Sequence, residues 1–210
     1  MKRLALLGAS GHGKVVADLA QQLDWQRVEF FDDAWPSLSF NGQWPVVGDT
    51  SVLLAQIAQY DGVLVAIGHC ATRWQKHQVL RCAGAQLVSL VHPKASLSNF
   101  ASLGVGSVLM AGAVVNVDAV LGEACIINTG ATVDHDCQLA QAVHISPGAN
   151  LSGDVRVGAF SWVGVGAAVR HGVRIGSDVM VGAGAVVVKP VADGMTVFGC
   201  PARALQSELK

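Results

Sequence analysis

Charge is scarce in this chain. Only 14% of its 210 residues are Asp, Glu, Lys or Arg, against ~25% in an ordinary soluble domain. The 14 basic and 15 acidic residues nearly cancel. Without a basic surplus, neither nucleic acid nor an anionic membrane is expected as the main partner. The apolar fraction of 51% argues against disorder. Long apolar runs are missing too, none approaching the ~18 residues of a spanning helix. Met1-Lys2-Arg3 followed by Leu4-Ala5-Leu6-Leu7 imitates an export signal, but the stretch is short and Gly8 to Lys14 breaks it. The five cysteines are scattered and form no CxxC pair, which removes a disulfide framework and a zinc knuckle. The chain reads as cytoplasmic. What it holds in excess is glycine, 24 residues.

The chain changes character near residue 91. Before it, short apolar runs (Lys2 to Leu7, Val28 to Phe31, Gly62 to Ile67, Gln86 to Val91) alternate with helical patterns (His12 to Leu23, Ser51 to Gln59, Thr72 to Cys82). Strands alternating with helices predict a parallel sheet with crossover helices, a small Rossmann-like unit over residues 1–90. From residue 91 the period is six. Every sixth position from Val91 to Val187 is Val, Leu or Ile, seventeen in one register. Four residues after each stands a small or β-branched residue, and Gly or Asp is frequent three residues after. This pattern predicts a β-solenoid over residues 91–210, three units per triangular coil, with the aliphatic residues inward and Gly or Asp at left-handed turns. Cys125 and Cys137 take the small inward position and read as inert core thiols.

Several residues carry chemistry in their own right. Gly8-x-x-Gly11-x-Gly13 ends a strand and opens a helix, where backbone N–H groups can cradle phosphate, with Ser10 and His12 as added donors. The spacing GxxGxG does not fit dinucleotide binding. Asp32 and Asp33 follow the second strand and could accept hydrogen bonds from ribose or sugar hydroxyls, and Gly68 borders the same crevice. His135 lies two residues past an inward position, hence on a corner or side. Its neighbours Asp134 and Asp136 would orient the ring and favour imidazolium, so it suits a general base for acyl transfer to an amine. His171 falls on the same side, two coils on, with no role assigned. Phe160 and Trp162 read as packing at an interface rather than beside a coenzyme arm. The seven histidines offer no closely spaced ligand pair in the solenoid, so no metal is expected.

The hexapeptide run resembles the left-handed β-helix of the hexapeptide acyltransferases, and the left hand is what that resemblance implies, since parallel crossovers are ordinarily right-handed. Gly199-Cys200-Pro201-Ala202-Arg203 is similar to their G-x-P-A-[KR] signature. With Gly8-Ala9-Ser10-Gly11-His12-Gly13 added, the whole chain resembles the nucleotide-sugar acetyltransferases, notably the UDP-4-amino-sugar N-acetyltransferases of bacillosamine synthesis, with the sialic acid O-acetyltransferases alongside. The resemblance implies acetyl-CoA as donor, a UDP-linked 4-amino-4,6-dideoxy sugar as acceptor, and a homotrimer with active sites between subunits. It implies His135 as base with Asp136. It places Ser10, Gly11, His12, Asp32, Asp33, Gly68 and Asn128 at the nucleotide sugar, and His144, Gly153, Val165 and Ala183 at acetyl-CoA. A sugar O-acetyltransferase, a dTDP-4-amino-sugar enzyme and a non-catalytic nucleotide-sugar-binding scaffold are the alternatives.

Overall fold

The computed structural model describes residues 1–205, so the last five residues of the expected C-terminal tail lie outside it. The N-terminal unit is built from β1 (Arg3–Leu7), α1 (Gly11–Gln21), β2 (Arg27–Phe31), β3 (Phe40–Asn41), β4 (Trp44–Gly48), α2 (Thr50–Gln56), β5 (Gly62–Val65) and α3 (Cys70–Cys82). Its sheet runs β3-β4-β2-β1-β5, parallel except for the β3/β4 hairpin. That hairpin was not expected from the sequence. Its two-residue loop is Gly42-Gln43, with Asn41 paired to Trp44 and Gly42 at φ +65, and a glycine first in such a loop is a hairpin signal. The expected second helix ends early, at Gln56, and continues as a 3-10 turn over Ile57–Gln59.

Gln86 to Val91 is not one strand of this unit. Leu87 makes a single bridge to Val63, and Leu90–Val91 then pairs with Val108–Leu109 in the solenoid. The continuous apolar run hid a seam, because both regions bury aliphatic residues there. Leu90, Val108 and Met110 share one apolar cluster with Leu4, Leu6, Val16 and Phe30, so the N-terminal core runs into the solenoid wall.

The solenoid is a parallel β-helix of two-residue strands. Strand partners lie 18 residues apart, as in Val114 with Thr132 and His144 with Trp162, which makes three six-residue units per coil. Three sheets form the sides of the prism. The first presents Leu90, Val108, Ile126, His144, Trp162 and Met180 outward and is the side the N-terminal unit covers. The second presents Ser96, Val114, Thr132, Asn150, Ala168 and Val186. The third presents Ser102, Val120, Gln138, Arg156 and Arg174. The inward aliphatics are buried from Leu109 onward, and Val91, Leu97 and Leu103 are partly buried at the open first coil. Burial pushes the Cys125 thiol up to about 12 and that of Cys137 to about 11, so both are inert as expected.

Turn chemistry sets the corners. Fourteen positions at spacing six, from Gly106 to Gly184, have φ between +54 and +77. Eleven are the Gly or Asp of the sequence pattern. The exceptions, Ala124, Ala142 and Phe160, are 18 residues apart and so stack on one corner, and that corner is the one α3 packs against. Arg73 on α3 donates from Nε to the Ala124 carbonyl (2.7 Å) and from Nη2 to the Ala142 carbonyl (2.7 Å). Trp74 meets Phe160 at 6.4 Å between ring centroids. Arg81 pairs with Glu123 of the same corner. Phe160 therefore meets the N-terminal unit of its own chain through Trp74, and Trp162 lies beside His144 on the first side.

Candidate active site

The Gly8–Gly13 loop is held from below. Gly8, at φ +113, leaves no room for a side chain, since a Cβ would lie 3.0 Å from the Ala66 carbonyl oxygen. A Cβ on Gly13 would collide with the Gly8 carbonyl. Gly11 differs: nothing lies within 4 Å of where its Cβ would be, so packing does not require a glycine there. Ser10 is the N-cap of α1 yet makes no side-chain capping bond, which leaves its hydroxyl free. Asp32 does not reach into the crevice unaided. One carboxylate oxygen accepts from Ala9 N–H (2.7 Å) and the other from Ala34 N–H (3.0 Å), so it fixes the loop. Asp33 accepts from Thr50 and from Lys76 Nζ (2.6 Å), and these donors hold its carboxyl down at about 2.

Across the crevice stands the first side of the β-helix. His144 is 4% exposed, and its ring lies 4.2 Å from Trp162 and 6.2 Å from His12 between centroids. Burial and the nearby Arg73 cation push His144 down to about 3 and His12 to about 4, so both rings are neutral at ordinary pH. The tautomer of His144 follows from its partner. Thr129 N–H donates to Asn128 Oδ1 (2.8 Å), which leaves the Asn128 amide N–H to donate to His144 Nε2 (3.1 Å). Nε2 is the acceptor, so Nδ1 carries the proton. It turns toward the Gly68 carbonyl without forming a hydrogen bond, and His12 Nε2 is likewise unpartnered and buried. Two buried ring nitrogens thus lie without a hydrogen-bond partner where the N-terminal unit meets the first side.

Arg73 organises this wall, and sequence reasoning missed it. It is 1% exposed and donates from Nη1 to the Ile67 (2.9 Å) and Gly68 (2.6 Å) carbonyls as well as to the two β-helix corners. Among the described residues no carboxylate is a hydrogen-bond partner of Arg73. An Arg at the fourth position of a helix carries no sequence signal for such a clamp.

His135 stands elsewhere, on the corner between the second and third sides. Its Nδ1 lies 2.7 Å from Asp136 Oδ2, and its side chain is 48% exposed. Asp136 foremost, with Asp134 and Asp154, holds its pKa above the usual imidazole range. Asp134 accepts from His135 N–H (2.8 Å) and from Asn116 Nδ2 (2.7 Å). Gly153 sits one coil on, beneath the ring, and His171 two coils on, at 6.5 Å. Val165 and Ala183 stack on a different corner, in register with Thr129, the neighbour of Asn128, two and three coils earlier. Both are exposed there. One chain therefore separates the candidate residues into two groups. Ser10, Gly11, His12, Asp32, Asp33, Gly68, Asn128, His144, Val165 and Ala183 belong to the first side and its borders. His135, Asp136 and Gly153 belong to the far corner. Among the described residues no group of three His, Cys, Asp or Glu could hold a metal, and no helix is long and apolar enough to cross a membrane.

Comparison with known proteins accords with this architecture. Residues 3–80 match the PglD N-terminal domain and residues 154–189 the bacterial transferase hexapeptide repeat. The acetyltransferase domain of PglB from Neisseria gonorrhoeae, solved with acetyl coenzyme A, is 45% identical with a TM-score of 0.93, over 97% of this chain and 99% of that one. A GDP-perosamine N-acetyltransferase variant from Caulobacter crescentus, solved with CoA and GDP-perosamine, is 38% identical with a TM-score of 0.94, over 99% and 98%. The UDP-N-acetylbacillosamine N-acetyltransferase of Bacillus subtilis is 37% identical over 113 residues, 53% of this chain and 52% of that protein, so the match spans about half of that relative. A PglD-type unit on a left-handed hexapeptide β-helix defines a class of acetyltransferase. The chain belongs to that class, the hexapeptide-repeat sugar N-acetyltransferases with a PglD N-terminal domain.

Proposed function

We propose that this protein transfers the acetyl group of acetyl-CoA to the 4-amino group of a UDP-linked 4-amino-4,6-dideoxy sugar. The observation that carries the reading is the His135–Asp136 pair, a free imidazole Nε2 backed by a carboxylate on Nδ1, on a corner of a family β-helix. The nucleotide sugar would sit at Ser10, Gly11 and His12, edged by Asp32, Asp33, Gly68 and Asn128. Acetyl-CoA would run along the corner of Val165 and Ala183, with His144 and Gly153 beside the acetyl group. The amine nitrogen attacks the thioester carbonyl, a C–N bond forms, the C–S bond breaks, and CoA leaves as the thiolate. His135, neutral at the start, takes the amine proton, and Asp136 stabilises the imidazolium. The separation of His135 from the crevice supports a homotrimer, in which one chain's base faces a neighbour's crevice. Both substrates are cytoplasmic metabolites, in keeping with a cytoplasmic protein.

A GDP-linked 4-amino sugar is the second reading, favoured by the 38% identity to the perosamine enzyme across nearly the whole chain. The test is thiol release from acetyl-CoA with UDP-, GDP- and dTDP-4-amino sugars and free sialic acid. Fast release with one 4-amino nucleotide sugar is expected, and release with sialic acid alone overturns the reading. His135→Ala should lose ~100-fold or more in kcat. Because Asp136 raises the His135 pKa, Asp136→Asn should move the acid limb of the rate profile to lower pH while lowering kcat.

A further inference from the structure

Gly153 is a glycine without the usual reasons for one. Its φ is outside the left-handed region, so alanine fits the backbone there. It also differs from Gly104, Gly122 and Gly158, where a Cβ would strike the backbone of the next coil. The three atoms nearest to a Cβ on Gly153 all belong to the His135 ring: Cε1 and Nε2 well inside contact, and Nδ1 at 3.0 Å. Gly153 is nonetheless buried, because the imidazole covers it.

We propose that Gly153 is a positioning residue, the seat on which the His135 ring lies so that Nδ1 keeps Asp136 and Nε2 stays free. The neighbours on this stack are Val117 one coil before His135 and His171 one coil after Gly153. Only a residue without a side chain at 153 lets the ring lean across the coil toward His171. A methyl group there has one cheap escape, which is rotation of the exposed imidazole. That rotation leaves the fold intact and moves the base. The 2.7 Å contact with Asp136 is the first thing it breaks. This inference rests on the reading of His135 as the base, and it goes further by giving Gly153 a part in placing that base.

The experiment compares wild type, Gly153→Ala, His135→Ala and the double variant in the full chain. Gly153→Ala should unfold thermally within a degree or two of wild type. It should lose ~100-fold in kcat, as expected of an ångström-scale displacement of a reacting group, with KM for both substrates nearly unchanged. The double variant should be no slower than His135→Ala. The titratable groups around the ring are Asp134 and Asp136 on its own corner, Asp154 on the next coil and His171 beyond. Only the first-named contacts change in Gly153→Ala, so the His135 NMR titration should shift to lower pH. A wild-type kcat in Gly153→Ala, or a further loss on adding it to His135→Ala, overturns the proposal. If wild type turns over no acceptor, the functional reading fails, and the NMR titration still decides the seat: an unmoved His135 sinks it.

Discussion

The two regions of the chain fix the place of a side chain by different means. In the N-terminal unit, place depends on contacts between distant loops: Ala9 on Asp32, Thr50 and Lys76 on Asp33, Asn41 on the Ser10 carbonyl. In the β-helix, place follows from residue number, since 18 residues on the same position recurs one coil further along. A perturbation in the first region spreads through several elements. In the second it is felt mainly by the coils directly before and after. The proposed active residues use both systems, and the two meet at Arg73.

Arg73 is where the comparison breaks most easily. Arg73→Met would leave four carbonyls without their donor, two in each region. Unsatisfied buried acceptors cost ~1–3 kcal/mol each before relaxation, so a loss of roughly 3 kcal/mol or more is expected. Arg73→Lys should recover little, because one ammonium cannot span the fork. Urea unfolding followed by tryptophan fluorescence should show the N-terminal unit melting in a separate, earlier transition while the β-helix holds its midpoint. A single shifted transition would mean that the regions fold as one unit despite their different designs.

A smaller effect separates the two histidine groups by pH. His12 and His144 have folded values of about 4 and about 3, below the ordinary 6.5. Below pH ~6.5 the unfolded chain takes up protons that the folded chain refuses. Their contribution is therefore full above that pH and is lost progressively as pH falls through 6.5 toward 3. His135 has the opposite sign, its raised value favouring the fold at low pH, but it is exposed and contributes little. The urea midpoint should drop between pH 7.5 and 5, less steeply in His12→Asn/His144→Asn than in wild type. An equal slope in that variant would show that the crevice does not hold its imidazoles neutral by burial.

How legible each part was follows from the same contrast. The seventeen aliphatic positions and most corner turns could be read directly, because a six-residue period repeats the same environment. The three exceptions at the corners, Ala124, Ala142 and Phe160, were illegible for the reason that makes them exceptions: α3, from the other region, covers them. His135 and Asp136 stood out as adjacent residues at a defined register. Arg73 did not, since its partners are backbone carbonyls, which leave no trace in side-chain identity. The β3/β4 hairpin was missed because Pro45 lies in β4, where it lowers strand propensity. Asp32 and Asp33 were legible as acids at a strand end, but their occupation by Ala9, Thr50 and Lys76 is a long-range fact.

The finest distinction lies within the β-helix itself, between glycines that serve a turn and glycines that serve coil stacking. Gly148 has φ +65 and nothing within 4 Å of where its Cβ would be, so Gly148→Ala carries only the left-handed penalty of ~1 kcal/mol. Gly148→Asp should cost less, because Asp tolerates this conformation and already occupies it at Asp118, Asp136, Asp154 and Asp178. Gly122 is the converse. Its backbone accepts any residue, but a Cβ would lie 2.7 Å from the Ala140 carbonyl carbon of the next coil, and backbone cannot rotate away as a side chain can. Gly122→Ala should therefore cost more than Gly148→Ala in the same unfolding assay. The reverse order would mean that the coils part readily, and that the corner turns, not the spacing of the coils, set the rigidity of the prism on which His135 stands.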